Sequence, residues 1–228
     1  MRRLSSGIGI AAALIATPLT ALPAWADACP TASATAYNTM FAPLSGNSCT
    51  VDGLTFSNFV ITPSTTGLAA ISNITVAPFS TVFNGATEFG LQLLFAATAQ
   101  SSPGQVSVAD IAWTYNVAGN FINDVFASIT GSTTGTGAIG LAENLTNGVT
   151  LHLTDSGVTG ASFSPIGSLG VMKDEFARAG LDGFATDSIV QNGFSLVPAP
   201  IVGAGLPGLI AACGGLVVLA RRRRKLVA

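Results

Sequence analysis

A chain of 228 residues that is 49% hydrophobic and only 9% charged, with 26 glycines, has the length for one domain once targeting segments are removed. Its formal net charge of −2 hides an uneven distribution: Lys173 and Arg178 are the basic residues of the middle, the others sit near the two ends, and all eleven acidic residues fall between Asp27 and Asp187. So acidic a middle repels phosphate backbones and anionic lipid, which excludes nucleic acid as its partner.

Arg2 and Arg3 precede an apolar stretch over residues 8–16, and Ala24-Trp25-Ala26 satisfies the small-x-small rule of signal peptidase. Residues 1–26 are therefore expected to be a secretory signal peptide cut after Ala26, a retained N-terminal anchor being the alternative. Residues 27–196 then fold outside the cytoplasm. Cys29 and Cys49 are the only cysteines of that exported part. In an oxidising compartment they are expected to form a disulfide, against the alternatives of two free thiols or half of a metal site, for which no further cysteine and only His152 are at hand. Closing that loop would be worth roughly 3 kcal/mol. It would pin residues 31–48, whose Ser, Thr, Ala and Gly content promises little order.

From residue 51 the pattern reads as strands. Residues 51–61 alternate, with Leu54 and Phe56 expected on one face together with Asn58 and Val60, before Pro63 ends the run. Further strands are expected over residues 70–76, 88–97, 105–117, 124–130, 139–143, 150–153 and 188–196, separated by Gly, Asn, Ser and Pro clusters. Asn147-Gly148 marks a hairpin turn, and Asn84-Gly85 and residues 116–120 mark further bends. Residues 171–179, from Val171 to Ala179, crowd Lys173, Asp174, Glu175 and Arg178 together before Gly180, and read as one helix or as a charged loop. The fold expected is mainly β, an antiparallel β-sandwich of jelly-roll-like character.

The chemistry is sparse. His152 alternates with Thr150 and Thr154 on the polar side of a strand and has no Gly-x-Ser-x-Gly elbow to serve, so a histidine-based hydrolase is not expected. Glycosidases need only two carboxylates, and Glu88, Asp110, Asp124 and Glu143 are available without a spacing that pairs them. Asp182 and Asp187, five apart in a Gly-containing stretch with Asp174 and Glu175 not far away, form a weak calcium candidate that fails the EF-hand pattern. Asn73-Ile74-Thr75 and Asn144-Leu145-Thr146 match the glycosylation sequon, a short pattern that arises often by chance. Trp113 and Tyr115 are candidate glycan contacts, although their alternation on one strand face favours the core. Phe56, Phe59, Phe89, Phe95, Phe121 and Phe163 read as packing. No catalytic residue and no cofactor is assigned.

Residues 197–228 carry a direction. Val197-Pro198-Ala199-Pro200 leads into an uncharged apolar run over residues 201–220, followed by Arg221, Arg222, Arg223, Arg224 and Lys225. As a helix the run spans roughly 30 Å, the thickness of a bilayer's hydrocarbon core, and the basic cluster keeps the C-terminus cytoplasmic. Cys213 within it reads as a small apolar residue rather than a lipidation or metal site. Proline step, glycine-rich span and basic end together resemble the PEP-CTERM class of bacterial sorting signals, with Ala199 standing where Glu is common. The stretch from Cys49 to Phe59, and Val171-Met172-Lys173-Asp174 followed by residues 188–195, look like the exported domains attached to such signals. The resemblance implies an exosortase-like processing enzyme as partner, beside signal peptidase. It also implies a structural or adhesive protein of the cell surface, envelope or biofilm matrix, tied to exopolysaccharide. A carbohydrate-binding module is the second reading, and a secreted glycan-active enzyme the third.

Overall fold

The computed structural model describes residues 27–101 and 103–197. The expected signal segment with Ala24 and Ala26 lies outside the described residues, as do Pro198, Ala199, Pro200, the apolar run 201–220 and Arg221 to Lys225. Among the described residues no helix is long and apolar enough to cross a membrane. Val197 is described, and its amide donates to the Phe121 carbonyl at 3.0 Å.

The chain is mainly β, as its alternating segments and turn signals predict. In order it forms β1 (Asp27–Ala28), β2 (Ala32–Ser33), α1 (Ala34–Met40), β3 (Ser48–Val51), β4 (Leu54–Thr66), β5 (Leu68–Phe83), β6 (Ala86–Gln100), β7 (Ser107–Leu145), β8 (Thr150–Leu153) and β9 (Gly157–Phe194). They join one sheet in the order β1-β3-β4-β7-β9-β6-β5-β2, with β8 on β7, and all pairs except β1–β3 are antiparallel.

β7 and β9 hold 39 and 38 residues, and an extended strand of that length would exceed about 100 Å, so both must bend. The register shows how. Residues 107–118 of β7 pair with 168–179 of β9, residues 137–145 of β7 pair with 171–179 from the other side, and residues 126–135 of β7 pair with 183–193 of β9. The sheet therefore curls into two sandwich-like layers. One comprises β3, β4, residues 107–118, 168–179 and 137–145, and β8; the other comprises β5, β6, and residues 183–193, 126–135 and 157–162. At one corner Gly135 has φ +57 and a Cβ there would lie 2.1 Å from the Asp182 carbonyl, so only glycine lets the strands close.

Between the layers lies one apolar core that includes Leu54, Phe56, Phe59, Ile111, Trp113, Tyr115, Val117, Ile129, Val190 and Phe194. Its entries from β4 correct the expected alternation. Asn58 takes φ 58 in a bulge between Ser57 and Val60, which turns Phe59 and Ile61 inward and leaves Val60 41% exposed. Phe56 and Phe59 are fully buried and Phe95 is buried, while Phe89 and Phe163 pack on the core from its margin. Phe121 does not pack as expected: it sits at φ 64 with 49% of its surface exposed, where β7 crosses between layers.

The N-terminal segment is better ordered than its composition promises. Ser33, in extended backbone, caps α1 by accepting from the Ala36 amide at 3.2 Å. Tyr37 is buried edge-on against Phe59, and its hydroxyl donates to the Pro30 carbonyl at 2.7 Å. The Asn38 carboxamide donates to and accepts from the Ile61 main chain, both at 2.8 Å. The Cys29–Cys49 disulfide is present and buried, tying the end of β1 to β3.

The expected helix over residues 171–179 is a strand. Val171, Lys173, Glu175, Ala177 and Ala179 point inward, while Met172, Asp174 and Arg178 are exposed on the outer face. Two charged residues at inward positions break the apolar-polar alternation, and that is why a helical spacing fitted as well. Two expected turns form hairpins: Gly148 has φ +88, Asn147 Oδ1 accepts from the Val149 amide at 3.1 Å, and Asn84-Gly85 turns β5 into β6 with φ 49 and 85. Residues 116–120, expected to bend, run on within β7.

Candidate functional site

The inward-facing charges gather between the layers. Lys173, Glu143, Glu175, Asp187 and Asn192 are all at most 3% exposed, beside the fully buried Trp113 and Tyr115. A domain with so few charges has therefore placed several of them where ionisation costs most. Lys173 Nζ lies 2.7 Å from Glu143 Oε2, 3.4 Å from the Gln191 carbonyl and 5.6 Å from the centroid of the Trp113 ring. Glu175 Oε2 accepts from Trp113 Nε1 at 2.9 Å. Asn192 Nδ2 donates to the Phe126 carbonyl at 2.9 Å and to Glu143 Oε2 at 3.3 Å, while its Oδ1 accepts from the Tyr115 hydroxyl.

The carboxyls respond to this setting. Burial raises Glu143, partly offset by Lys173 and by the hydrogen bonds it accepts from Lys173 and Asn192. Burial also holds Glu175 well above the usual carboxylate range, against the lowering effect of Lys173. It pushes Asp187 up to about 7, although the Ser188 and Ile189 amides face it closely enough to oppose the shift without reaching hydrogen-bonding geometry at either oxygen. Glu88, in the other layer, rises to about 8 through burial and then through the adjacent Asp124. No donor reaches its oxygens, so it can bond Asp124 only by keeping a proton. Tyr115 is raised by burial and by Glu143, so it remains a phenol that donates.

The outer face of the first layer is different in kind. Register places its outward residues in rows across five strands: Val60, Thr114, Met172, Asn144 and Thr150 form one row, and Thr62, Ala112, Asp174, Ala142 and His152 the next. A third row holds Ser64, Asp110, Phe176 and Gly140. A Cβ on Gly140 would come 2.6 Å from Cε1 and Cζ of Phe176, so the half-buried Phe176 ring covers the glycine. Asp110 beside it rises to about 6, chiefly by burial and then by the neighbouring Asp174. Six residues along the strand, roughly 20 Å away, the face ends in an open cleft of about 330 Å³ lined by Ser57, Asn116, Thr146, Ser168 and Gly170 among others.

These positions settle several expectations. Trp113 and Tyr115 are core and are not exposed glycan contacts; an aromatic on the outer face of the first layer is Phe176, hidden in sequence by the helical reading of its segment. His152 is exposed on the outer face, as its alternation indicated. Asp182 is exposed at a turn and Asp187 is buried farther along the same strand, about 16 Å on at strand rise, so the two do not converge on a calcium ion. Among the described residues no group of three or more His, Cys, Asp or Glu side chains is placed to hold a metal. Glu88 meets Asp124, Asp110 meets Asp174, and Glu143 belongs to the inner cluster, so the four candidate carboxylates fall into three separate groups.

No protein-family model matches the chain, and no curated protein matches it. Among solved structures it is similar to the enzymatically active domain of bacteriophage CBA120 tailspike protein 4, at 10% identity and a TM-score of 0.30 over 60% of this chain. It spans only 19% of that tailspike chain. It is also similar to the carbohydrate-binding module CBM36 in complex with calcium and xylotriose, at 13% identity and a TM-score of 0.22, covering 59% of this chain and 99% of that one. A third is a family two carbohydrate esterase from Cellvibrio japonicus, at 16% identity and a TM-score of 0.21, covering 62% of this chain and 37% of that one.

Proposed function

We propose that the protein is an exported structural or adhesive component of the bacterial envelope or matrix that holds polysaccharide on the outer face of its first layer, with no catalytic step. The observation that supports this is the Phe176 ring covering Gly140 in a field of outward hydroxyl, carboxamide and carboxyl groups. An aromatic face accepts the apolar side of a sugar ring, and the polar groups around it supply hydrogen bonds. Thr62, Ser64, Thr114 and Asn144 extend that field, and the cleft at Asn116 and Thr146 prolongs it along one direction. Export would follow removal of residues 1–26 by signal peptidase. The segment from Val197 to Lys225 would hold the chain in the inner membrane until an exosortase-like enzyme sorts it. A jelly-roll-like winding of the two layers belongs to the same reading.

A glycan array probed with the purified protein tests the binding. Retention of a polysaccharide by the wild type, weakened about tenfold by Phe176→Ala at unchanged circular dichroism, is expected, one aromatic contact being worth about 1.4 kcal/mol at most. Binding to no glycan, or binding indifferent to Phe176→Ala, would remove the proposal. Replacing Arg221 to Lys225 by Ser should alter fractionation and mature mass; unchanged values would remove the sorting role.

A further inference from the structure

Independently of glycan binding, we infer that Lys173 and Asn192 are the partners of a self-formed amide cross-link, with Glu143 as the group that moves the protons. Three reactive groups meet at one atom. Glu143 Oε2 accepts from Lys173 Nζ at 2.7 Å and from Asn192 Nδ2 at 3.3 Å, so the amine and the carboxamide nitrogen are neighbours across a single carboxyl oxygen. Every one of them is at most 3% exposed, which keeps out the water that would otherwise compete as nucleophile.

The orientation of the carboxamide suits attack at its carbon. Tyr115, a phenol kept protonated by burial, donates to Asn192 Oδ1 and stands where negative charge develops when Cγ is attacked. Nδ2, the leaving nitrogen, faces the carboxyl that can protonate it. Lys173 and Asn192 also belong to opposite layers, since Lys173 pairs with Trp113 and Glu143 while Asn192 pairs with Leu91 and Ala127. A bond between them would bolt the layers together through the core.

The step balances without an added reagent. The Lys173 ammonium gives one proton to the Glu143 carboxylate, leaving a neutral amine and a carboxylic acid. Nζ forms a bond to Cγ, the Cγ–Nδ2 bond breaks, and Glu143 hands a proton to Nδ2 while it takes one from Nζ. Products are the Lys173–Asn192 amide, a neutral Glu143 and one ammonia. The change also suits the surroundings: a buried ion pair becomes two neutral groups, and burial already raises Glu143 toward its acid form. Nothing else in the cluster does this work. Glu175 is engaged by the Trp113 indole, and the Asp187 oxygens meet no hydrogen-bonding partner.

Mass spectrometry of the full chain isolated from its native envelope, with both termini and the disulfide read in the same digest, decides the matter. The expected result is a chain lighter than its sequence by one ammonia, resistant to trypsin after Lys173, and yielding a branched peptide that joins the Lys173 and Asn192 segments. Glu143→Gln should restore the full mass and trypsin cleavage after Lys173 while circular dichroism stays native. Should that variant fail to fold, Asn192→Ala offers the same comparison from the electrophile side. A natively folded wild type of full sequence mass, or one carrying Asp in place of Asn192 through attack by water, would overturn the inference.

Discussion

The strand over residues 168–179 has two faces that obey different physics. Inward, Lys173 and Glu175 sit in a dry interior where each charge needs a partner at a fixed distance; outward, Asp174 and Arg178 stand in water, where a partner hardly matters. The same residue types thus define the interior on one side and merely solvate the sheet on the other. Position relative to the core, not charge, decides what a side chain is worth here.

Four measurements sharpen or break that contrast. Lys173→Met removes the amine from either arrangement and should cost about 3–5 kcal/mol in denaturant unfolding at neutral pH, because the ion pair would leave Glu143 buried without its cation and the amide would lose its link between the layers. For the ion pair the loss should shrink in acid, where Glu143 takes up a proton; for the amide it should not. A cost under about 1 kcal/mol would erase the distinction between the faces.

A pH profile comes next. Folding raises Glu88 to about 8, Asp187 to about 7 and Asp110 to about 6, from carboxylate values near 4 in the unfolded chain. Between about pH 4 and pH 8 the folded state then holds more protons than the unfolded state, so stability falls as pH rises. Tm should be highest at the acid end of that window and decline toward pH 8, with Glu88→Gln flattening the upper part and Asp110→Asn the lower. A Tm that climbs over the same interval would contradict the burial of these groups.

Gly140→Val tests the outer ring. A side chain there must push Phe176 aside, which should cost about 1–3 kcal/mol and lift the ring from the sheet. Arg178→Ala, on the same face, should change stability by less than about 0.5 kcal/mol. If Arg178 proved as costly as Lys173, the outward side would not be a free surface.

The strands of the fold were legible where alternation was clean. Residues 107–117, with Ala109, Ile111, Trp113, Tyr115 and Val117 inward, announce themselves. So do the turns at Asn84-Gly85 and Asn147-Gly148, because only a few residues tolerate their backbone. Bulges were not legible: Asn58 at φ 58 reverses which residues face inward without altering composition. Nor were the inner charges, since Lys173 and Glu175 mimic solvent-facing residues until Glu143 and Asn192, remote in sequence, arrive to pair with them. The signal that was available is Val171, Ala177 and Ala179, small or apolar residues at even spacing around the two charges.

The route of β7 and β9 through both layers also governs how the sheet can be assembled in time. Residues 107–118 pair with β4 on one edge but find the neighbour on their other edge only at 168–179, and β6, paired locally with β5, finds its second neighbour only at 184–194. The early pairs can therefore form before the sheet is joined, but neither layer is complete until β9 arrives. Closure of those long loops must wait for nearly the last strand, which places the domain among slow, all-or-nothing folders on the millisecond-to-second scale.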